Sequence, residues 1–391
     1  MLPYADLAYF VLVGLLAVPV LVPRLGERIR RPWILVATAI MLVLQYSVGE
    51  AARTRIVVTD LPIVAAWGVY QLALALVFLR LRPRLTRRSV FYTVLGLSLL
   101  PLVAAKVAPL VAPQSLVGFL GISYVTFRAL DVIFGIQDKL ITRLPLGQVV
   151  AYLLFFPTIS SGPIDRYRRF EKDWQPGANQ TRLADVDGAV QHLFRGLLYK
   201  FILAALIQRY WLTPAEGAHG VLGVLSYMYA YSFYLFFDFA GYSAFAISAS
   251  YLFGIRTPEN FSRPFIARDI RDFWNRWHMS LSFWFRDHVY MRFVLAAAKG
   301  KWFKGKTTAS YLALLLNFVL IGMWHGLQPN YVLYGLYHAL LMIGYEWFSR
   351  WNKTRKVWGE GPLWRAASIV VTFNVVCFGF LIFSGHLNFA R

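Results

Sequence analysis

"LPIVAAWGVYQLALALVFL", residues Leu61–Leu79, has no charged side chain and is long enough to cross a lipid bilayer as one helix. A spanning helix needs about 20 mostly apolar residues, and comparable runs recur at Val221–Gly254 and Ser368–Phe383. Of the 391 residues, 58% are hydrophobic and only 15% are charged, whereas soluble domains carry about 25% charged residues. The sequence therefore predicts a polytopic helical membrane protein and excludes an ordinary soluble domain.

The first third of the chain reads as a series of spanning helices. They are predicted at about 5–23, 33–49, 61–79, 90–105 and 115–136. The first apolar run, Leu7–Val22, has no basic segment before it and no cleavage site after it, so we expect a retained helix and not a signal peptide. The single cysteine, Cys377, rules out an intrachain disulfide and is interpreted as a small buried hydrophobic residue.

The formal net charge is +21, and the basic residues cluster between the apolar runs. The clusters are Arg24, Arg28, Arg30 and Arg31; Arg80, Arg82, Arg84, Arg87 and Arg88; Lys299, Lys301, Lys304 and Lys306; and Arg350, Lys353, Arg355 and Lys356. Because basic loops stay in the cytoplasm, the clusters predict that the N-terminus and the 50–60 loop lie outside. No nucleic-acid-binding motif accompanies this charge, so the predicted partners are anionic lipid and an acidic cytoplasmic protein, with no nucleic acid.

Beyond residue 137 the apolar pattern becomes irregular. Pro157 and the Ser-Ser-Gly-Pro stretch at 160–163 interrupt the segment 153–174, which predicts a broken or re-entrant element. Further helices are predicted at about 190–211, 309–326, 331–348 and 366–385. Residues 175–190 are predicted to form a polar loop, and the apolar run 221–254 is long enough for more than one helix. Without internal repeats, one membrane domain is expected over 1–391, divided into peripheral helices (1–136), core blocks (137–330) and C-terminal helices (331–391).

"RDFWNRWHMSLSFWFRDHVYMRF", residues Arg271–Phe293, combines histidines and charges with many aromatic residues. If it is one helix, with 100° between residues, Trp274 and Ser282 lie on the same side as His278, and the charged side chains lie opposite. A helix on a membrane surface keeps its titratable groups on the polar face. His278 is therefore either a structural hydrogen-bonding residue or a functional one, and this stretch alone leaves both open.

A second histidine, His325, ends an apolar run in "NFVLIGMWHGLQPNYVLYG" (317–335). Ionisable residues inside membrane segments are rare and usually functional. The flanking Gly322 and Gly326 allow another backbone or a substrate to approach closely. The alternative is an interfacial histidine beside an anchoring Trp324.

The motifs that are absent narrow the chemistry. The sequence has no HxxxH or HExxH pair, no G-x-S-x-G elbow and no P-loop, so no metal site and no serine nucleophile are predicted. What remains is a neutral imidazole acting as a general base on a hydroxyl group. Asp238, inside an apolar run, could pair with a cation, orient a histidine or bind substrate, and the ion pair is favoured.

Four blocks resemble the membrane-bound O-acyltransferase (MBOAT) family. They are "FFPTISSGPI" (155–164), "FDFAGYSAFAIS" (237–248), "FWNRWHMSLSFWFRD" (273–287) and "MWHG" (323–326). The segment after His278 lacks the tyrosine-leucine-tyrosine and proline-glycine-glycine elements of the alginate O-acetyltransferase branch. It is more similar to the branch that attaches D-alanine to teichoic acid in Gram-positive bacteria. His288 stands where that branch is expected to have an aromatic residue.

The resemblance implies an all-α polytopic fold, with a ring of about eleven transmembrane helices and short re-entrant and interfacial helices around a central tunnel. It implies that His325 is the base that activates the acceptor hydroxyl, or positions it against the thioester carbonyl. His278 would orient the thioester or assist proton transfer. Further residues expected at the substrate or the tunnel are Asp238, Trp324, Ser282 and Trp274.

The resemblance also implies the partners. No cofactor is expected to stay bound, because D-alanine arrives as a thioester on the phosphopantetheine arm of an acidic cytoplasmic carrier protein. The acceptor is a teichoic acid hydroxyl or a relay protein at the outer face of the bacterial plasma membrane. The carrier is expected to dock on Met291, Val294, Leu295, Lys299 and Lys301, although lipid-headgroup contact explains these residues equally well. The alternatives are an MBOAT O-acetyltransferase acting on a polysaccharide and a non-enzymatic transporter.

Overall fold

The computed structural model describes residues 2–23, 25–46, 60–84, 87–111, 118–175, 183–305 and 307–387. All regular secondary structure in these ranges is helical. The predicted all-α class is therefore confirmed.

The helices follow one another along the chain with short connections. They are α1 (Leu7–Leu21), α2 (Leu25–Tyr46), α3 (Leu61–Leu81), α4 (Arg88–Val111), α5 (Ile122–Gln137), α6 (Leu146–Leu154), α7 (Tyr167–Trp174), α8 (Leu183–Glu216), α9 (Gly220–Leu252), α10 (Ile270–Trp274), α11 (Met279–Phe285), α12 (Met291–Gly300), α13 (Thr308–His325), α14 (Pro329–Arg355) and α15 (Pro362–Ser384). Among the described residues, seven of these helices are long and apolar enough to cross a membrane: α2, α3, α4, α8, α9, α13 and α15. The protein is therefore a multi-pass membrane protein.

The described chain divides into two compact units. The N-terminal unit contains residues 1–196 and 242–258, and the C-terminal unit contains 197–241 and 259–391. The boundaries at 196/197 and 241/242 fall inside α8 and α9, so each of these helices belongs partly to both units.

Several predicted boundaries differ from the structure. The second helix begins at Leu25 instead of about residue 33, so the arginines before residue 33 belong to its first turns. Long basic side chains at a helix end can reach polar surroundings, so they do not prevent the helix from starting there. Residues 183–190, predicted as loop, belong to α8, while 176–182 lie outside the described residues. The run at 221–254 forms the single helix α9. A helix does form over the predicted span 331–348, but α14 is not among the seven candidates.

The predicted break in 153–174 is confirmed. Helix α6 ends at Leu154, and a 3₁₀ turn, Phe156–Thr158, separates it from α7. Arg128 on α5 is 1% exposed and donates to the carbonyl oxygens of Leu153 (3.2 Å) and Thr158 (2.7 Å). Backbone groups freed by a broken helix must find protein partners at membrane depth. The buried Arg128 guanidinium is the hydrogen-bond partner of these carbonyl groups. The sequence analysis did not predict this role for Arg128.

Candidate active site

The segment that carries His278 is not one helix, so the treatment of Arg271–Phe293 as a single helix is wrong. Helix α10 ends at Trp274, α11 begins at Met279, and a π-helical stretch, Arg286–Tyr290, leads into α12. The residues expected to share one helical face therefore belong to separate elements. Their positions follow from tertiary contacts and not from a 100° repeat.

His278 itself sits at the break, immediately before α11. Its backbone is left-handed (φ 42°), a conformation that costs a residue other than glycine about 1–2 kcal/mol. Asn260, which is fully buried, holds the break in place. Its carbonyl oxygen accepts from the Met279 N–H (2.9 Å), and its side-chain oxygen accepts from the Ser280 hydroxyl (2.6 Å). These hydrogen bonds tie the two residues after His278 to a loop that lies 18 residues before it.

The His278 imidazole is 3% exposed and lies among aromatic rings. Its ring centroid is 4.7 Å from that of Phe239 and 6.1 Å from that of Trp324. Its Nε2 has no hydrogen-bond partner among the described residues. The residue lies outside the seven candidate spans. Burial, and secondarily the neighbouring His325, lowers its pKa well below the ordinary value, so the ring is neutral near pH 7.

His325, the last residue of α13, is only partly buried. Its ring centroid lies 4.5 Å from that of Trp324, 4.8 Å from that of Phe383 and 6.3 Å from that of Tyr334. Trp324 therefore contacts both His325 and His278. The structure brings together the two histidines and the tryptophan that the sequence singled out.

Glycines set the approach of α13 and α14, as predicted for this stretch. A Cβ atom on Gly322 would lie 3.2 Å from the Cα of Gly335 and closer still to the Tyr331 carbonyl oxygen. A Cβ atom on Gly326 would collide with the Tyr331 ring. Only glycine permits this spacing. The close crossing places His325 against the aromatic residues of α14.

Asp238 forms an ion pair with the Lys200 ammonium group. The two residues meet where α8 and α9 are in close contact, since a Cβ atom on Gly241 would lie 2.8 Å from the Lys200 backbone nitrogen. The favoured ion-pair interpretation therefore describes what the carboxylate does in the structure. The residue after Asp238, Phe239, contacts the His278 ring, so the ion pair is adjacent in sequence to a residue of the site.

Ser282, Trp274 and His288 belong to the same segment as His278, and each has a different environment in the structure. The Ser282 hydroxyl donates to the Trp277 carbonyl oxygen (3.0 Å), which caps the break. Trp274 packs in a neighbouring aromatic cluster, and its indole N–H has no partner among the described residues. The His288 ring lies 4.8 Å from Trp284, so it occupies an aromatic environment.

Sequence reasoning missed a third histidine, His338 on α14. It is fully buried, with its ring 4.6 Å from Tyr334 and 5.1 Å from Trp274. Neither ring nitrogen has a hydrogen-bond partner in the described part of the chain. The rarity of ionisable groups in apolar helices, which singled out His325, would have singled out this residue as well.

The proposed carrier-docking residues lie together on and after α12. Met291 and Leu295 are 40% and 61% exposed, and Val294 is half-buried. The exposed Lys299 and Lys301 stand at the end of the same helix. The segment therefore presents an apolar patch beside positive charge, which we call the α12 patch.

The site offers two imidazoles, which are groups able to accept a proton or to donate a hydrogen bond. One imidazole is partly exposed, and the other is buried, neutral and has an open hydrogen-bonding nitrogen. General-base catalysis requires an imidazole within hydrogen-bond reach of the proton. Among the described residues, no group of three His, Cys, Asp or Glu side chains is placed to hold a metal ion.

The sequence profile of the membrane-bound O-acyltransferase family matches residues 89–385. The chain therefore belongs to this family, and it is an O-acyltransferase. This confirms the resemblance inferred from the four sequence blocks.

Within the family, the similarity to one group of proteins extends over nearly the full chain. The chain is 44% identical to the teichoic acid D-alanyltransferase of Bacillus subtilis (strain 168), over 98% of both proteins. It is 39% identical to the teichoic acid D-alanyltransferase of Streptococcus thermophilus, over 99% of this chain and 95% of that protein. The chain is 31% identical to a probable alginate O-acetylase of Pseudomonas aeruginosa, and this match covers 68% of this chain and 48% of that protein.

Proposed function

We propose that this protein transfers D-alanine from the thioester of a cytoplasmic carrier protein to a hydroxyl group on the outer side of the membrane, for D-alanylation of teichoic acid. The observation that carries the proposal is the 44% identity to a teichoic acid D-alanyltransferase over 98% of both chains. An alginate O-acetylase shares only part of its length with this chain, which makes polysaccharide acetylation the weaker alternative.

The site geometry supports a direct transfer. His325 accepts the proton of the acceptor hydroxyl, the oxygen attacks the thioester carbonyl, and the C–O bond forms as the C–S bond breaks. The proton then passes from the imidazolium to the leaving thiolate. A thioester is already activated, so a base and correct positioning suffice, and no covalent enzyme intermediate is required.

His278 suits the role of a positioning group for the donor. Its buried Nε2 has no described partner, and a buried polar atom of this kind is costly unless a ligand or water satisfies it. Its nearness to Trp324, which also contacts His325, supports a donor carbonyl held between the two imidazoles. The phosphopantetheine arm supplies the thioester, and this chain supplies the two imidazoles.

The α12 patch suits an acidic carrier protein, because exposed apolar anchors stand beside lysines. We expect the triple substitution Lys299→Glu, Lys301→Glu and Lys304→Glu to weaken carrier binding at least tenfold at low salt, measured by surface plasmon resonance on nanodiscs. The matched control reverses three exposed charges elsewhere: Arg84→Glu, Arg87→Glu and Arg88→Glu. Unchanged affinity in the first variant would leave lipid headgroups as the partner of the patch.

We propose that the protein lies in the bacterial plasma membrane with its N-terminus outside, since the basic clusters predict a cytoplasmic position for the loops between the helices. The only native thiol, Cys377, is buried, so single added cysteines can be labelled selectively. A membrane-impermeant maleimide should label Leu2→Cys in intact cells and Arg355→Cys only after lysis. Labelling of Arg355→Cys in intact cells would contradict this orientation.

A donor competition tests the proposed function. Purified protein is mixed with two carriers, one loaded with D-alanine and one with acetate, each with its own isotope, and with membranes that contain teichoic acid. We expect D-alanyl esters to form at least tenfold faster than acetyl esters. Preferential acetyl transfer would replace the proposal with the acetyltransferase alternative.

A further inference from the structure

A large groove lies in the C-terminal unit between α14, α15 and the segment 268–270. Its volume is about 1500 Å³, above the range of about 300–1,000 Å³ that is usual for sites of small ligands. Neither histidine of the candidate site lines it. The groove is therefore separate from the two histidines of the candidate active site.

One part of the groove is apolar and open to the side. Leu340 on α14 and Val371 on α15 line it and are 58% and 54% exposed. Leu341 and Val375 continue the apolar wall. Because α15 is a candidate membrane span, this opening faces the depth at which lipid chains lie.

The other end of the groove has an excess of positive charge. Its charged lining residues are four basic and two acidic ones: Arg268, Lys353, Lys356, Arg365, Asp269 and Glu360. The Asp269 carboxylate already accepts hydrogen bonds from the Tyr345 hydroxyl (2.8 Å) and the Asp272 backbone N–H (2.8 Å). None of the four basic side chains forms an ion pair with an acidic residue that the structure describes. This end therefore carries an excess of positive charge, which attracts anions.

The turn between α14 and α15 holds the charged end in a fixed geometry. Lys356 ends α14 in a left-handed conformation. The Asn352 side chain then bonds both the N–H and the carbonyl oxygen of Trp358 (2.7 and 2.8 Å). Trp358 donates from its indole to Ser368 (2.9 Å) and packs 4.8 Å from Trp364. Tryptophans gather at the level of lipid headgroups, which places the charged end at the membrane interface.

The distance between the two ends matches one leaflet. Leu340 and Lys353 are 13 residues apart on α14, or about 20 Å at 1.5 Å per residue. One leaflet is about 15 Å of hydrocarbon, or about 20 Å when its headgroup region is included. A molecule that fills the groove thus has a charged group at the interface and an apolar part reaching through one leaflet.

We propose that the groove binds one anionic glycerophospholipid from the surrounding leaflet. Its phosphate lies beside Lys353, Lys356 and Arg365, and an acyl chain lies along Leu340 and Val371. A zwitterionic lipid brings its own ammonium group to a site that already has excess positive charge, so it binds more weakly. A second copy of the chain, or a helix of another protein, would cover the apolar wall but leave the basic side chains without a counter-charge.

Native mass spectrometry of the full-length protein in mild detergent tests the proposal, with added phosphatidylglycerol and phosphatidylcholine of identical acyl chains. We expect one phosphatidylglycerol per chain, bound at least tenfold more tightly than phosphatidylcholine. The triple variant Lys353→Gln, Lys356→Gln and Arg365→Gln should lose this preference. Arg84→Gln, Arg87→Gln and Arg88→Gln remove the same charge from exposed positions outside the groove and should retain it.

A substitution in the apolar part of the groove tests lipid binding without changing the charge of the protein. A Cβ atom on Gly344, which lines the groove, meets no atom within 4 Å, so Gly344→Phe can occupy the groove without a clash in the helix. It should lower binding of both lipids at least tenfold, whereas Gly14→Phe, at an equally open position, should not. Wild-type lipid binding by Gly344→Phe, or equal loss of preference in both charge variants, overturns the proposal. A changed oligomeric mass of Gly344→Phe with unchanged lipid binding would assign the groove to a second copy instead.

Discussion

Replacing His325 by alanine is expected to lower D-alanyl transfer by about 10²–10⁴-fold, the range that a general base contributes. His325 ends α13, is partly exposed and contacts the Trp324 ring, which also contacts the buried His278. The measurement is the D-alanine ester content of teichoic acid in Bacillus subtilis cells that lack their own D-alanyltransferase and express this protein. Equal expression is checked in the membrane fraction.

The matched control for this prediction is His219→Ala. His219 is exposed in the turn between α8 and α9, so its loss removes an imidazole without touching the site. Cells with this variant should keep wild-type ester levels. Wild-type ester levels with His325→Ala would show that the base is another group.

Replacing Gly322 by alanine is expected to cost both stability and activity. The added methyl group meets the Tyr331 carbonyl oxygen and the Gly335 backbone, which cannot rotate away. Overpacking of this kind costs about 1–3 kcal/mol of the free energy of unfolding. The helices must move apart, and a shift of about 1 Å in a reacting group can reduce the rate about 10²-fold. Thermal unfolding and transfer rate are measured on the same purified sample.

The control for Gly322→Ala is Gly96→Ala on α4, where an added Cβ meets no atom within 4 Å. Because glycine in a helix is less favourable than alanine by about 1 kcal/mol, this change should leave stability unchanged or raise it. A Gly322→Ala protein with the stability and activity of the wild type would contradict the role of the close helix crossing.

The sequence predicted the parts of this protein that depend on local pattern. The run at 61–79 became α3, and the proline-interrupted segment after residue 153 is broken, because hydropathy and proline act locally. His278 and His325 were singled out by their apolar surroundings, and the family resemblance implied a role for each of them. The structure adds that they share the Trp324 ring.

The parts that sequence reasoning missed depend on contacts between distant residues. Aromatic and polar residues continue at helical spacing through His278, so the local pattern does not reveal the break there or its hydrogen bonds to Asn260. The pairing of Asp238 with Lys200 joins residues 38 positions apart. Arg128 donates a hydrogen bond to the Thr158 carbonyl oxygen in the broken segment, 30 residues away in the sequence. A contact over this separation cannot be predicted from hydropathy periodicity.

The most direct measurement uses sealed liposomes that contain the purified protein and a trapped glycerol phosphate polymer, with carrier bearing radiolabelled D-alanine added outside. We expect the label to appear as an ester on the trapped polymer with the wild-type protein and to be lost with His325→Ala. If the polymer requires a relay protein, that protein is trapped with it. Free D-alanine inside the liposomes without ester formation would indicate a transporter and contradict transfer at the two histidines.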